Sequence, residues 1–177
     1  MPLRNGPTGY GVVTKTLHWL TGFLLAIQFA VGYGLEAVSA WLTGTDDSDA
    51  DEAAVFVHGW LGGAILLVAA IRLGWRLTTP LPPWSERLSE ADRRLAHRTE
   101  QVLYLLLFVT PASGLALLLL SGEERDIAED REWRPPYALV EDDLLLAAHV
   151  VAHLTFYVAL AVHIGLAVRR GTLARMV

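Results

Sequence analysis

The sequence predicts an all-α integral membrane protein, a four-helix bundle with both termini in the cytoplasm, forming a single membrane domain over residues 1–177. Three observations predict it. Of the 177 residues, 53% are hydrophobic and the mean hydropathy is +0.38, too apolar for an ordinary soluble domain. Four stretches, Leu17–Leu35, Ala53–Leu73, Val102–Leu120 and Leu144–Val168, approach or exceed the roughly 20 apolar residues that cross a bilayer at about 1.5 Å per residue. The 14 Lys and Arg are also unevenly placed: eleven precede the first stretch, lie at the end of the second or between it and the third, or end the chain. The positive-inside rule puts those segments, and both termini, in the cytoplasm.

The N-terminal segment MPLRNGPTGYGVVTKT begins like a signal peptide, but no small-residue cleavage site closes the apolar run that follows. That run is therefore read as a retained first span, about 17–38. Gly6, Gly9 and Gly11 with Pro2 and Pro7 predict a flexible lead that ends at Thr14 or Thr16, either of which can cap the helix. A short polar outer loop, 43–52, leads to the second span, about 53–76. Its one Arg, Arg72, lies at the inner end, where a long side chain snorkels to the interface.

The cytoplasmic loop, 77–97, opens with a proline cluster that stops the second helix. Ser85 or Ser89 then starts a short surface helix leading into the third span, about 98–120. Thr110–Pro111 in mid-span predicts a local kink, read as a packing feature in preference to a hinge. The outer loop 121–143, with Trp133, Pro135, Pro136 and Tyr137, is the longest irregular segment and is expected to fold over the outer helix ends. The fourth span is about 144–168. All six Trp fall near the expected interfaces, Trp19, Trp75 and Trp84 inside and Trp41, Trp60 and Trp133 outside, as an aromatic belt does.

Composition excludes several chemistries. With no Cys in the chain, disulfides, thiolate zinc, iron–sulfur clusters and covalent c-type haem are ruled out. The net charge of −5 offers no basic surface for nucleic acid, and none is expected as a partner. Metal chemistry must use His or carboxylates.

Of the six His, five lie inside or at the ends of apolar spans: His18, His58, His149, His153 and His163. An ionisable group in a membrane helix needs a partner to offset its desolvation, and a metal is one such partner for a neutral imidazole. Topology fixes their depths. His18 starts the first span on the cytoplasmic side; His58 and His149 lie toward the outer face; His163 is deep toward the cytoplasm. Two pairs of matched depth follow, His18 with His163 and His58 with His149.

Spacing tests this independently. His149 and His163 are 14 residues apart, nearly four turns, so they share a helix face about 21 Å apart along the axis. One helix can thus serve two stacked sites. His153 lies on the face of His149 but is turned about 80° from His163; His149 is the better outer ligand, with His153 an alternative. Gly22 follows His18 by one turn, and Gly62 and Gly63 follow His58. Such glycines give a flat macrocycle backbone clearance, or serve helix packing through small residues.

Two His per iron, with no Cys or Met competing, describes low-spin six-coordinate haem b, so two haem b groups are expected, working in electron transfer. Zinc is the inorganic competitor, since His149 and His153 have i,i+4 spacing. They lack the Glu of the HExxH motif and an evident third ligand. A haem-free transporter is a further alternative, but no inverted repeat or paired intramembrane carboxylate supports it. His97 is read as an interfacial histidine. Lys15, Arg72, Arg76 and Arg169 are candidate haem-propionate partners, Arg72 foremost, although positive-inside placement also explains them. Tyr157 and Gln28 are intramembrane polar groups read as helix-to-helix hydrogen-bonding residues, with contact to haem or quinone as the other role.

These residues resemble the bacterial cytochrome b561 family, itself similar to the haem b subunits of nickel–iron hydrogenase and formate dehydrogenase. LHWL around His18, VHGWLGG at His58 followed by RLGWRL, HRTEQVLYLLLFVTPASG, and AHVVAHLTFYVALAVHIGLAVRRGTLARMV carry the resemblance over nearly the whole chain. It implies axial ligation by His18, His58, His149 and His163, and a quinone-linked diheme oxidoreductase of the bacterial inner membrane, with ubiquinone or menaquinone as partner. Some relatives oxidise superoxide at the outer face and reduce ubiquinone. Here the outer loops carry 14 acidic residues against three Arg, which repels an anion unless Arg125, Arg131 or Arg134 forms a local funnel. A membrane-anchor subunit that takes electrons from a partner hydrogenase or dehydrogenase is the alternative reading.

Overall fold

The computed structural model describes residues 2–34, 48–120 and 142–176, and among these the side chains of all but 48–54 and 142. Trp41, Trp133, Arg125, Arg131, Arg134 and the expected fold-over of 121–143 lie outside the described residues. The chain is all-α. It forms α1 (Val12–Tyr33), α2 (Ser48–Thr78), α3 (Glu90–Leu120), α4 (Asp142–Arg169) and a final 3-10 turn at Leu173–Arg175. All four helices are long and apolar enough to cross a membrane, where only a helix or a closed barrel satisfies its own backbone.

Two compact units make up the chain: Met1–Arg93 with Ala167–Val177, and Arg94–Leu166. In the first, α1 and α2 pack on each other. They run antiparallel, because Thr14 meets Trp75, His18 meets Arg72 and Gln28 meets His58 in descending register. Buried side chains along this unit's helices are small or branched, Thr21, Val31, Ile65 and Ala69. Large apolar groups such as Phe23, Trp60, Leu67 and Ile71 are exposed, which suits a lipid solvent as apolar as the side chains themselves. In the second unit, Leu106, Leu107, Ala152, Phe156 and Ala159 are buried while Leu105, Val151 and Val158 face outward.

The N-terminal lead departs from expectation. It is hydrogen-bonded in place, and neither Thr14 nor Thr16 caps α1. The N-cap is Gly11, which uses no side chain. Its own N–H donates to Asn5 Oδ1 at 2.9 Å, while Val12 and Val13 N–H donate to the Pro2 and Leu3 carbonyls. The lead thus folds back over the first turn and satisfies donors a capping side chain would otherwise take. The approach is so close that a Cβ on Gly11 would strike the Leu3 and Arg4 backbone. Thr14 instead donates to Asn5 Oδ1 and accepts from Trp75 Nε1.

α1 is described to Tyr33, with the Gly34 N–H donating to Ala30 O, and the expected end near 38 lies outside the described residues. Helix ends differ from expectation at two more places. α2 starts at Ser48, so Ser48–Glu52, expected as loop, is helical. The segment SDADE has the acidic bias that a helix N-terminus favours. The expected short surface helix is no separate element: α3 runs unbroken from Glu90 for 31 residues, about 46 Å and longer than the roughly 30 Å hydrocarbon core. No breaker separates the charged first turns from the apolar run, so the helix propagates. α2 does stop where the prolines require, at Thr78, and His97 is exposed.

Ser89 is the start signal of α3. Asp92 N–H donates to Ser89 Oγ, and Ser89 N–H and hydroxyl donate to Asp92 Oδ2 at 3.0 and 2.6 Å, a reciprocal capping box. Arg170 then pairs with Asp92 at 2.8 Å, tying the C-terminal tail to this corner. Arg87 Nη1 donates to Gly171 O, Arg175 Nη2 to Pro83 O and Trp19 Nε1 to Met176 O, so the tail is held along its length. The Ser89 hydroxyl first, then its N–H and Arg170, hold the Asp92 carboxyl below the usual carboxylate range.

A lowered folded-state pKa contributes stability that is full above the unfolded value, about 3.9, and is lost as pH falls through the folded value. Asp92→Asn should therefore melt below the wild type in detergent at neutral pH. That difference should close as the pH is lowered beneath about 4; a gap of constant size across the acid range would show that the carboxylate charge is not the cause.

Candidate functional site

Three of the intramembrane histidines, His18, His58 and His149, have a partner of fixed donor or acceptor character, and that character fixes the ring's tautomer. His149, half-buried on α4, places Nδ1 3.0 Å from the Thr110 carbonyl and 3.0 Å from Ser113 Oγ. A carbonyl only accepts. Nδ1 therefore carries the proton, and Nε2 is left with its lone pair, the form that binds a metal.

His58 on α2 reaches the same form from another neighbour. Gln28 Nε2 on α1 donates to the His58 carbonyl at 3.1 Å, which fixes the amide's orientation, and lies 3.1 Å from His58 Nε2. An amide NH2 only donates, so Nε2 accepts and the ring proton sits on Nδ1. A metal at this nitrogen would take the one lone pair that now accepts from Gln28, so the amide would give up its contact with Nε2 and keep its bond to the His58 carbonyl.

At His18 the arrangement is reversed. Arg72 Nη2 lies 3.0 Å from His18 Nδ1, and a guanidinium only donates. Nδ1 accepts, and the neutral ring carries its proton on Nε2. A metal bound there would displace that proton, and the adjacent Arg72 charge compensates the electron density left on the ring. His163 is half-buried on α4. The ring centroids of His149 and His153 are 5.1 Å apart, and Tyr157 stands 5.7 Å beyond His153. These three form one aromatic stripe.

Glycines shape the space around the rings. Gly22 and Gly63, one turn or so past His18 and His58, have nothing within 4 Å of an added Cβ, which leaves backbone clearance for a flat group. Two further glycines, unmarked in the sequence reading, matter more directly. A Cβ on Gly32 would come within 2.9 Å of His58 Cε1, and one on Gly114 within 3.0 Å of His149 Cε1. Each is the floor on which an imidazole rests.

The residues present fit haem b. Nitrogen donors at the ends of intramembrane helices, open glycine surfaces and a guanidinium beside one ring match a macrocycle with axial imidazoles and anionic propionates. Among the described residues no three His, Asp or Glu converge on one point, as a closed zinc site requires. The Thr110–Gly114 turn around His149 was read from sequence only as a kink. Its signal is a Ser and a Gly two and three residues after an intramembrane Pro, which marks a turn with free polar groups and little bulk.

Comparison with known proteins agrees. A family model described as prokaryotic cytochrome b561 matches residues 9–177. A curated relative, cytochrome b561 homolog 2 of Escherichia coli strain K12, is 28% identical over 124 residues, covering 70% of this chain and 62% of the relative. The chain belongs to the prokaryotic cytochrome b561 family, multi-pass proteins of the bacterial inner membrane.

Proposed function

We propose that this protein is a diheme b-type cytochrome that carries electrons between the two faces of the membrane and exchanges them with the quinone pool. The observation that carries the reading is the geometry of His149. Its Nδ1–H is committed to a carbonyl while its Nε2 keeps a lone pair, on a helix that repeats a His 14 residues later on the same face. One helix then offers a ligand at each of two depths about 21 Å apart. Paired by depth, His18 and His163 take the inner haem, and His58 and His149 the outer. Both termini are cytoplasmic in this topology, by the placement of the basic residues.

Bound haem supplies a one-electron couple at each depth, with no open coordination position when both axial sites are imidazole. The chain's own residues do the rest. Thr110 and Ser113 orient His149; Gln28 and Gly32 orient His58; Arg72, beside His18, would offset charge there and is the candidate partner for an inner propionate. The exposed apolar faces of all four helices contact lipid, the medium from which a ubiquinone or menaquinone would approach. The acidic outer loops favour an uncharged quinol over anionic superoxide as the reductant. A stoichiometric hydrogenase or dehydrogenase subunit that co-purified would instead assign the chain as a haem b anchor for that partner.

Haem content and the reduced-minus-oxidised visible spectrum of the purified protein test the ligand set. Wild type should hold two haems per chain. His149→Ala or His58→Ala should leave one, and His18→Ala or His163→Ala the other; a variant that kept both would remove that residue from the set. Stopped-flow reduction separates the donors. Reduction by a quinol analogue should be nearly independent of salt, whereas superoxide should react slowly at low ionic strength and faster as salt screens the acidic loops. Fast superoxide reduction that slows with salt would reverse the assignment.

A further inference from the structure

The turn Thr110–Gly114 of α3 surrounds His149 on three counts, and none of them is needed merely to pack two helices. Thr110 gives its backbone carbonyl to Nδ1 at 3.0 Å. Ser113 gives its hydroxyl oxygen to the same nitrogen at 3.0 Å, and its own proton goes to Thr110 O at 2.8 Å. With that proton spent, Ser113 Oγ can only accept from the ring. Gly114 removes the bulk that would hold the ring away, since a Cβ there would lie 3.0 Å from Cε1 and 3.4 Å from Nδ1. Both acceptors and the clearance come from a single helical turn that contains Pro111.

We propose that Ser113 is a positioning residue for the haem ligand His149, which together with the Thr110 carbonyl holds the ring proton on Nδ1 and lowers the reduction potential of the iron bound at Nε2. This rests on the ligand reading of His149 given above. Two acceptors draw the Nδ1 proton away from the ring, which makes the imidazole more basic at Nε2. A more electron-rich axial ligand stabilises ferric over ferrous iron, so the potential falls. At His18 the neighbour of Nδ1 is the donor-only guanidinium of Arg72, a contact that acts on the ring in the opposite sense to the two acceptors at His149. The single electron that leaves one iron is taken up by the other, and any difference in potential that Ser113 sustains biases the direction of that transfer.

Potentiometric titration of the haem-loaded protein, followed at the α band and by low-spin ferric electron paramagnetic resonance, tests this with four variants. His149→Ala identifies the haem concerned by removing it. Ser113→Ala should keep both haems, raise the midpoint potential of that one, shift its g values and leave the other haem unmoved. Ser113→Thr, which restores the acceptor, should return both readouts to wild type. Gly114→Ala should shift the same haem by displacing the ring. Unmoved potentials in both Ser113→Ala and Gly114→Ala, with His149→Ala still losing one haem, overturn the inference while the ligand reading stands. Retention of both haems by His149→Ala overturns the ligand reading itself. Should Ser113→Ala fail to hold the haem, Ser113→Thr must hold it at the wild-type potential; loss in both also overturns the inference.

Discussion

A polar group inside the hydrocarbon layer has no water to turn to, and the arrangement of this protein follows from that constraint. Five of six histidines lie in or at the ends of apolar spans, and His18, His58 and His149 each have a nitrogen within about hydrogen-bonding reach of a neighbour whose chemistry is fixed: a guanidinium, an amide and a carbonyl. Such neighbours do more than offset desolvation. Because each can only donate or only accept, it decides which ring nitrogen keeps a lone pair. The same contacts that allow an imidazole to sit in a membrane thereby decide whether it can bind a metal.

The partners come from different levels of structure, and this has consequences for function. Thr110 contributes backbone, which no single substitution removes; Ser113 and Gln28 contribute side chains, which evolution can change without disturbing the helix. A ligand held partly by backbone keeps its tautomer while its electronics are adjusted through the side chain. Gly32 and Gly114 add a steric condition, since either ring would be pushed away by a single methyl group. Orientation, protonation and distance are thus set by separate atoms.

Away from the membrane interior, stability is arranged in a different medium and by different means. Asn5 gathers the lead onto α1, the Ser89–Asp92 box starts α3, and the tail is fastened through Arg170, Gly171, Arg175 and Met176. These contacts lie where water screens charge, so individual ion pairs contribute little and the set matters more than any member. They give fixed ends to helices whose lipid-facing surfaces are apolar and cannot choose a register by hydrophobicity alone.

The sequence by itself determined the four apolar helices, and the uneven placement of the basic residues, eleven of 14, and the five histidines in or beside apolar spans are read from it directly. Those features are one-dimensional: length at 1.5 Å per residue, charge by segment, and spacing on a 3.6-residue period. It also placed a stop at the proline cluster and offered Ser85 or Ser89 as the next start, because prolines and capping residues act locally; α2 ends at Thr78 and Ser89 is the start that is used. What only the tertiary structure decided were the partners across helices. The Asn5 lead replaced the expected caps at Thr14 and Thr16, and Gly32 proved to matter through His58, 26 positions away. Thr110–Pro111, read as a packing kink, turned out to be the turn that receives His149. Those relations depend on which residues from distant segments come within 3 to 4 Å of one another, and helical periodicity fixes a face of each helix without saying what will lie against it.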